Sequence, residues 1–330
     1  MASPVLPLPA GFAVLGRLDE DRVAAVYLIG DVAGGEAVLT VAKGPVSEDD
    51  RTAYQRWAGA LLAVAEDVTV ARVLAADVTS DGRPFLVTET GAVLADRLGE
   101  DGPLPVAAGV AYGHALADAL SRAHAAGIPH GAVRPVTVLV TGDGARLAGF
   151  GGVAPGLAVA TAADAYTPPE LLPAASVGQA VATAAGDVYA LGVTLHVALG
   201  GTLPWQDVPL DPAARGAPLA ATPTVRGQLL DLLRATTCAD PGFRPTARRV
   251  RAWLAGIDPA GPREHRTIPR ELLAGRGVRK VGRRAAAPMA GTGGPLAVRT
   301  GSAARPAVAT AWEDVPLDDP LPCHPRKDVS

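Results

Sequence analysis

The chain has 330 residues, of which 48% are hydrophobic, with a mean hydropathy of +0.22 and a formal net charge of -3. That is ample apolar material for a buried core, and it excludes a chain disordered throughout. Cys238 and Cys323 are the only cysteines, too few for a disulfide framework or a cysteine-rich metal site, and a reducing cytoplasm is the expected location.

The opening residues carry prolines and lack both a basic start and a long apolar run, which argues against a signal helix. From Phe12 to Lys43 the pattern predicts strands, broken by an acidic stretch at Asp19, Glu20 and Asp21 and by a hairpin turn over Asp31–Gly35. Residues 48–66, with Glu48, Asp49 and Asp50 in the first turn, predict a helix. Arg83–Glu89 reads as a central strand with one polar end. Residues 105–126 predict a long Ala- and Leu-rich helix, on which His114 and His124 are expected as packed or exposed side chains rather than ligands. Thr141–Gly144 between two apolar runs is a hairpin signal, with Asp143 as a turn residue.

The apolar segment Val188–Leu199 is shorter than the roughly 20 residues a membrane span needs, so a buried helix and a soluble chain with no membrane span are expected. Beyond about Gly256 the periodicity weakens, and Pro, Gly, Ala and Arg predict a mostly disordered tail. Residues 263–305 hold ten Arg or Lys against Glu264 and Glu271. Arg276, Arg279, Lys280, Arg283 and Arg284 could form a short basic helix on an acidic partner, although a solvated tail is the blander reading. No aromatic residues interleave with these charges, so no nucleic-acid partner is expected.

Several stretches, in this order, resemble a protein kinase of the bacterial serine/threonine type. Ile128–Gly151 is similar to the catalytic loop His-Arg-Asp followed by Asp-Phe-Gly; Tyr166-Thr-Pro-Pro-Glu170 is similar to Ala-Pro-Glu; Asp187–Val193 resembles the helix at the centre of the larger lobe, and Cys238–Thr246 the late Arg-Pro element. The resemblance covers about residues 12 to 256. It implies an α+β, bilobal fold, with a β-rich N-lobe over 12–89, a helical C-lobe over 90–256 and a tail over 257–330.

Laid on the family pattern residue by residue, His130 and Phe150 keep their places. Gly131 stands for the arginine, Ala132 for the catalytic aspartate, Thr137 for the asparagine and Gly149 for the metal-binding aspartate. Thr40 falls at the phosphate-gripping lysine and Ala58 near its glutamate partner. Lys43 lies an odd number of residues from Thr40, so a strand points it to the opposite face, as a surface lysine. The loop glycines fall on Asp19, Asp21 and Ala24, whose acidic surroundings would repel a nucleotide, or else form a polar turn. Thr88 and Glu89 correspond to the hinge. The resemblance also implies structural roles for Glu170, Arg244 and Asp187, with a buried Glu170–Arg244 salt bridge. Gly131 removes the charge that would hold a phosphate on the segment before Pro168.

The reading that follows is a catalytically inactive, kinase-like binding or scaffold protein of bacterial signalling or cell-envelope regulation: not an enzyme, and without cofactor or metal. Its expected partner is a protein, either an active kinase, a phosphopeptide-binding module or a membrane-associated complex, and Thr267 is one possible phosphorylation site. The alternatives are a divergent serine/threonine kinase and an ATP-binding sensor with unconventional nucleotide binding.

Overall fold

Alternating Val, Leu and Ala from Phe12 to Ala42 fold into three strands in the computed structural model, which describes residues 6–20, 23–157, 163–172, 181–205 and 207–257. These are β1 (Phe12–Glu20), β2 (Ala24–Asp31) and β3 (Glu36–Ala42), and with β4 (Val73–Val78) and β5 (Pro84–Glu89) they form an antiparallel sheet in the order β1-β2-β3-β5-β4. The Asp31 carboxylate accepts the amides of Ala33 and Gly35 at 2.9 and 2.7 Å, closing the β2–β3 hairpin. Period-2 alternation sorts β3 by face. Ala37, Leu39 and Val41 pack with Ile29, Phe85 and Val87, while Ala42 joins Leu86 in the main core on the other side.

Helix α1 (Glu48–Val64) is capped by Ser47, whose hydroxyl accepts the Asp50 amide; it packs against β4, and its buried residues include Tyr54, Ala58 and Leu61. The Tyr54 hydroxyl donates to the Phe85 carbonyl, tying α1 to β5. After the sheet come α2 (Leu94–Asp101), which the sequence pattern did not single out, and α3 (Val106–Ala125). Strands β6 (Val138–Thr141) and β7 (Gly144–Leu147) make the hairpin that Thr141–Gly144 signals.

Four further helices follow among the described residues: α4 (Ala184–Gly200), the single turn α5 (Pro212–Arg215), α6 (Gln228–Thr236) and α7 (Ala247–Ala255). The apolar run at 188–199 is indeed a buried helix, flanked by α3 and α6. A Cβ on Gly109 of α3 would lie 2.3 Å from a Leu199 methyl, and one on Gly192 would lie 2.3 Å from the Thr236 hydroxyl, so these glycines permit the close approach of neighbouring helices. One apolar core runs from Ala24 through α1, α3 and α4 to Ile257. No described helix is long and apolar enough to cross a membrane. The tail residues Arg276, Arg279, Lys280, Arg283 and Arg284, with Thr267 and Cys323, lie outside the described residues.

Candidate functional site

The site is built on the loop between α3 and β6. His130 is fully buried, and its ring sits edge-on to Phe150 with centroids 4.5 Å apart. Its Nδ1 accepts the Ala132 amide at 3.1 Å, so Nε2 carries the proton and donates to the Ala148 carbonyl at 2.7 Å. Burial disfavours the imidazolium and holds the His130 pKa below the ordinary value, a direction that fits the neutral tautomer.

Asp187, in the first turn of α4, is also buried. Its Oδ2 accepts the His130 amide at 2.7 Å and faces His124 Nε2 at 2.8 Å; its Oδ1 accepts the Gly131 amide at 2.7 Å. This carboxylate therefore fixes the backbone of the loop, and His124 is one of its partners. On the same helix, the Thr194 hydroxyl lies 3.2 Å from the Val133 carbonyl.

Gly131 has φ +75°, and a Cβ there would come within 2.8 Å of both Ala182 Cβ and Val153 Cγ1. Gly149 has φ +94°, and its Cβ would lie 3.0 Å from Thr137 Cγ2. Both glycines thus stand where backbone conformation and space disfavour any side chain. The Thr137 hydroxyl lies 2.8 Å from the Ala132 carbonyl and 2.9 Å from that of Arg134, and accepts the Arg134 amide at 3.2 Å, closing the loop on itself.

On the sheet side, Thr40 pairs with Val26 and Leu86, and its side chain is near Gly151. Ala58 is buried on the core face of α1. Lys43 is exposed and ion-paired with Glu20, which also meets Arg17. Hydrogen bonding from Lys43 is the leading cause holding the Glu20 carboxyl below its ordinary range. The expectation of a repelling acidic loop needs adjusting on this point. Asp19 lies within β1, Ala24 begins β2, and Glu20 is compensated by two cations, Arg17 and Lys43, while Asp21 lies outside the described residues. Glu89, at the end of β5, accepts Arg146 Nη1 at 2.8 Å and the Arg72 amide at 3.0 Å, stitching the sheet to the β6–β7 hairpin.

Glu170 and Arg244 meet in a two-pronged ion pair, with both N···O distances 2.7 Å. The guanidinium also donates to the carbonyls of Cys238, Ala185 and Ala239 and lies 5.0 Å from the Tyr189 ring centre. Three residues that sequence reasoning passed over belong to the same neighbourhood. Arg134 Nη1 donates to Asp164 at 2.9 Å while its Nε is buried without a hydrogen-bond partner, and Arg215 is buried among backbone carbonyls. A cation two residues beyond Ala132 was the signal available for Arg134; nothing local marked Asp164 or Arg215.

No protein-family model matches the chain. It is 31% identical over 204 residues to the serine/threonine-protein kinase AfsK of Streptomyces griseus, covering 59% of this chain and 25% of that protein. It is 31% identical over 210 residues to the serine/threonine-protein kinase PknK of Mycobacterium tuberculosis, covering 60% of this chain and 18% of the relative. It is also 34% identical over 215 residues to CBL-interacting protein kinase 4 of Oryza sativa subsp. japonica, covering 58% and 45%. The chain thus spans about a quarter or less of the length of AfsK and PknK.

These matches correct the expectation that the chain is no enzyme. The relatives are named as protein kinases, so the likeness points toward kinase activity, whereas the inventory of missing groups rested on motif resemblance alone. Over its aligned part the chain is kinase-like.

Proposed function

We propose that the chain is a kinase-like signalling protein of bacterial type, bilobal over residues 12–89 and 90–256, that acts by binding another protein. The observation that carries this reading is the self-contained hydrogen bonding of the loop. Both ring nitrogens of His130, both oxygens of Asp187 and the Thr137 hydroxyl serve the loop's own backbone and neighbours. Function has to be argued from the site rather than from the fold, and this site is arranged to hold a shape. In this reading Glu170, Arg244, Asp187, His130 and Phe150 support that shape, in a cytoplasmic protein whose partner is a kinase, a phosphopeptide-binding module or a membrane-associated complex.

A second reading, divergent serine/threonine phosphoryl transfer, is favoured by the named activity of the relatives. It draws on groups other than those of the familiar pattern, and Arg134 is the cation nearest to hand in the loop.

A thermal-shift titration with ATP, alone and with Mg²⁺ or Mn²⁺, followed by a radiolabel transfer assay on the chain itself and on a generic protein substrate, separates the readings. A flat response with no label transferred is expected if binding is the function. A metal-dependent shift with labelled protein establishes transfer and overturns the first reading; a shift without metal or transfer indicates a nucleotide sensor.

A further inference from the structure

The described stretch 163–172 is anchored by three arginines that come from three other parts of the chain. Arg244 grips Glu170, as above. Arg215 donates through Nη1 to the carbonyls of Asp164 and Thr167 at 2.8 and 3.1 Å, and through Nε and Nη2 to the Pro209 carbonyl at 2.9 and 2.7 Å. It is almost completely buried, its guanidinium lies 4.9 Å from the Trp205 ring centre, and its own carbonyl accepts the Tyr189 hydroxyl. Arg134 supplies the third anchor, from the loop between α3 and β6.

Asp164 is where two of these anchors meet. Its Oδ2 accepts Arg134 Nη1 at 2.9 Å; its Oδ1 accepts the Tyr166 amide at 2.8 Å and faces the Thr167 hydroxyl at 3.0 Å. Its amide donates to that same hydroxyl at 3.0 Å, and its carbonyl accepts Arg215. Every polar atom of the residue is engaged. Charge-assisted bonds of this kind are about twice as strong as neutral ones. Gly131, on the same loop as Arg134, has no room for a side chain against Ala182 and Val153.

We propose that Asp164, gripped by Arg134, is a built-in anion that keeps residues 163–172 docked on the loop 130–137 without any added phosphate. Asp164 and Arg134 are positioning residues in this scheme, and Arg215 fixes the backbone on which the carboxylate is mounted. The inference rests on these contacts alone and stands whether or not the chain transfers phosphate. It has a consequence of definite sign. A negative group placed on Thr167 would lie beside the Asp164 carboxylate, and like charges repel, so it would loosen the stretch rather than order it.

The test is hydrogen–deuterium exchange on the full chain, shown by intact mass to be unphosphorylated. The amides of Tyr166 and Thr167 are expected to be protected in this unmodified protein, and Asp164→Ala and Arg134→Ala are each expected to speed their exchange about tenfold or more. Arg134→Lys, which keeps the charge, should retain most of the protection, while α3 and α4 amides stay unchanged. Should Asp164→Ala not fold, Thr167→Glu carries the test, with faster exchange at Tyr166 as the expected result. Fast exchange at these amides in the unmodified chain, wild-type exchange in Arg134→Ala, or added protection in Thr167→Glu would each overturn the proposal.

Discussion

Arg244 illustrates how a single side chain joins distant pieces of this molecule. Its side chain is 1% exposed, whereas that of Glu170 is 24% exposed, so the two ends of the ion pair are unequal. Removing Glu170 leaves a buried guanidinium with three carbonyls and the Tyr189 ring but no counter-charge, and removing Arg244 leaves a carboxylate that water can still reach but also loses the contact with Tyr189. Breaking a buried pair costs on the order of 3–5 kcal/mol. Glu170→Ala is expected near the lower end of that range because three carbonyls retain the arginine, and Arg244→Ala near the upper end; urea denaturation of both variants measures the order.

The two left-handed glycines of the loop give a second comparison. Gly131→Ala meets two carbon atoms at 2.8 Å and Gly149→Ala one at 3.0 Å, both on top of an unfavourable φ. Each is expected to destabilise by roughly 1–3 kcal/mol, with Gly131→Ala the more severe. Equal stability of either variant and the wild type in chemical denaturation would contradict the crowding described here.

Among the elements, α1 shows local rules and packing acting together. Ser47 caps it, and Glu48, Asp49 and Asp50 occupy its first turn, where negative charge favours the positive end of the helix dipole. Ser47→Ala should cost about 1 kcal/mol, read as a lowered midpoint with unchanged denaturant dependence. The other end of the helix is held by packing, since Tyr54, Ala58, Leu61 and Val64 form its buried face. The β6–β7 hairpin is tied to the sheet region by Leu147, whose amide donates to Thr69 and whose carbonyl accepts Ala71, and by the Glu89–Arg146 ion pair. Sheet and hairpin are therefore coupled through backbone as well as charge.

At the scale of the whole molecule, the continuous core makes buried titratable groups report on global stability. His130 and His196 are both buried, and desolvation is the leading cause holding each pKa below the ordinary 6.5. Such a histidine binds a proton in the unfolded chain at a pH where the folded chain leaves it neutral. Its contribution to stability is therefore complete above pH 6.5 and is lost as the pH falls below it. Unfolding free energy should drop between pH 7 and 5.5 with a slope of up to about 1.4 kcal/mol per pH unit for each histidine. His196→Gln should flatten the slope by up to one proton's worth; an unchanged slope would show that His196 does not titrate on unfolding.

Local signals in the chain determined the strands from Phe12 to Ala42, the Asp31–Gly35 turn, the helices beginning at Glu48 and Val106, the 141–144 hairpin and the buried run at 188–199. Periodicity, caps and turn residues act over a few neighbours, so the order of residues is enough to express them. The short amphipathic α2 and the anchors of 163–172 were not legible in that way. Only the tertiary structure decided that Asp187 meets His124, His130 and Gly131, that Arg134 reaches Asp164, and that Arg215 is buried among carbonyls. Those partners are separated by 30 to 63 positions, and which of them come together depends on how the helices and sheet pack, because a side chain's partner is set by its surroundings in space.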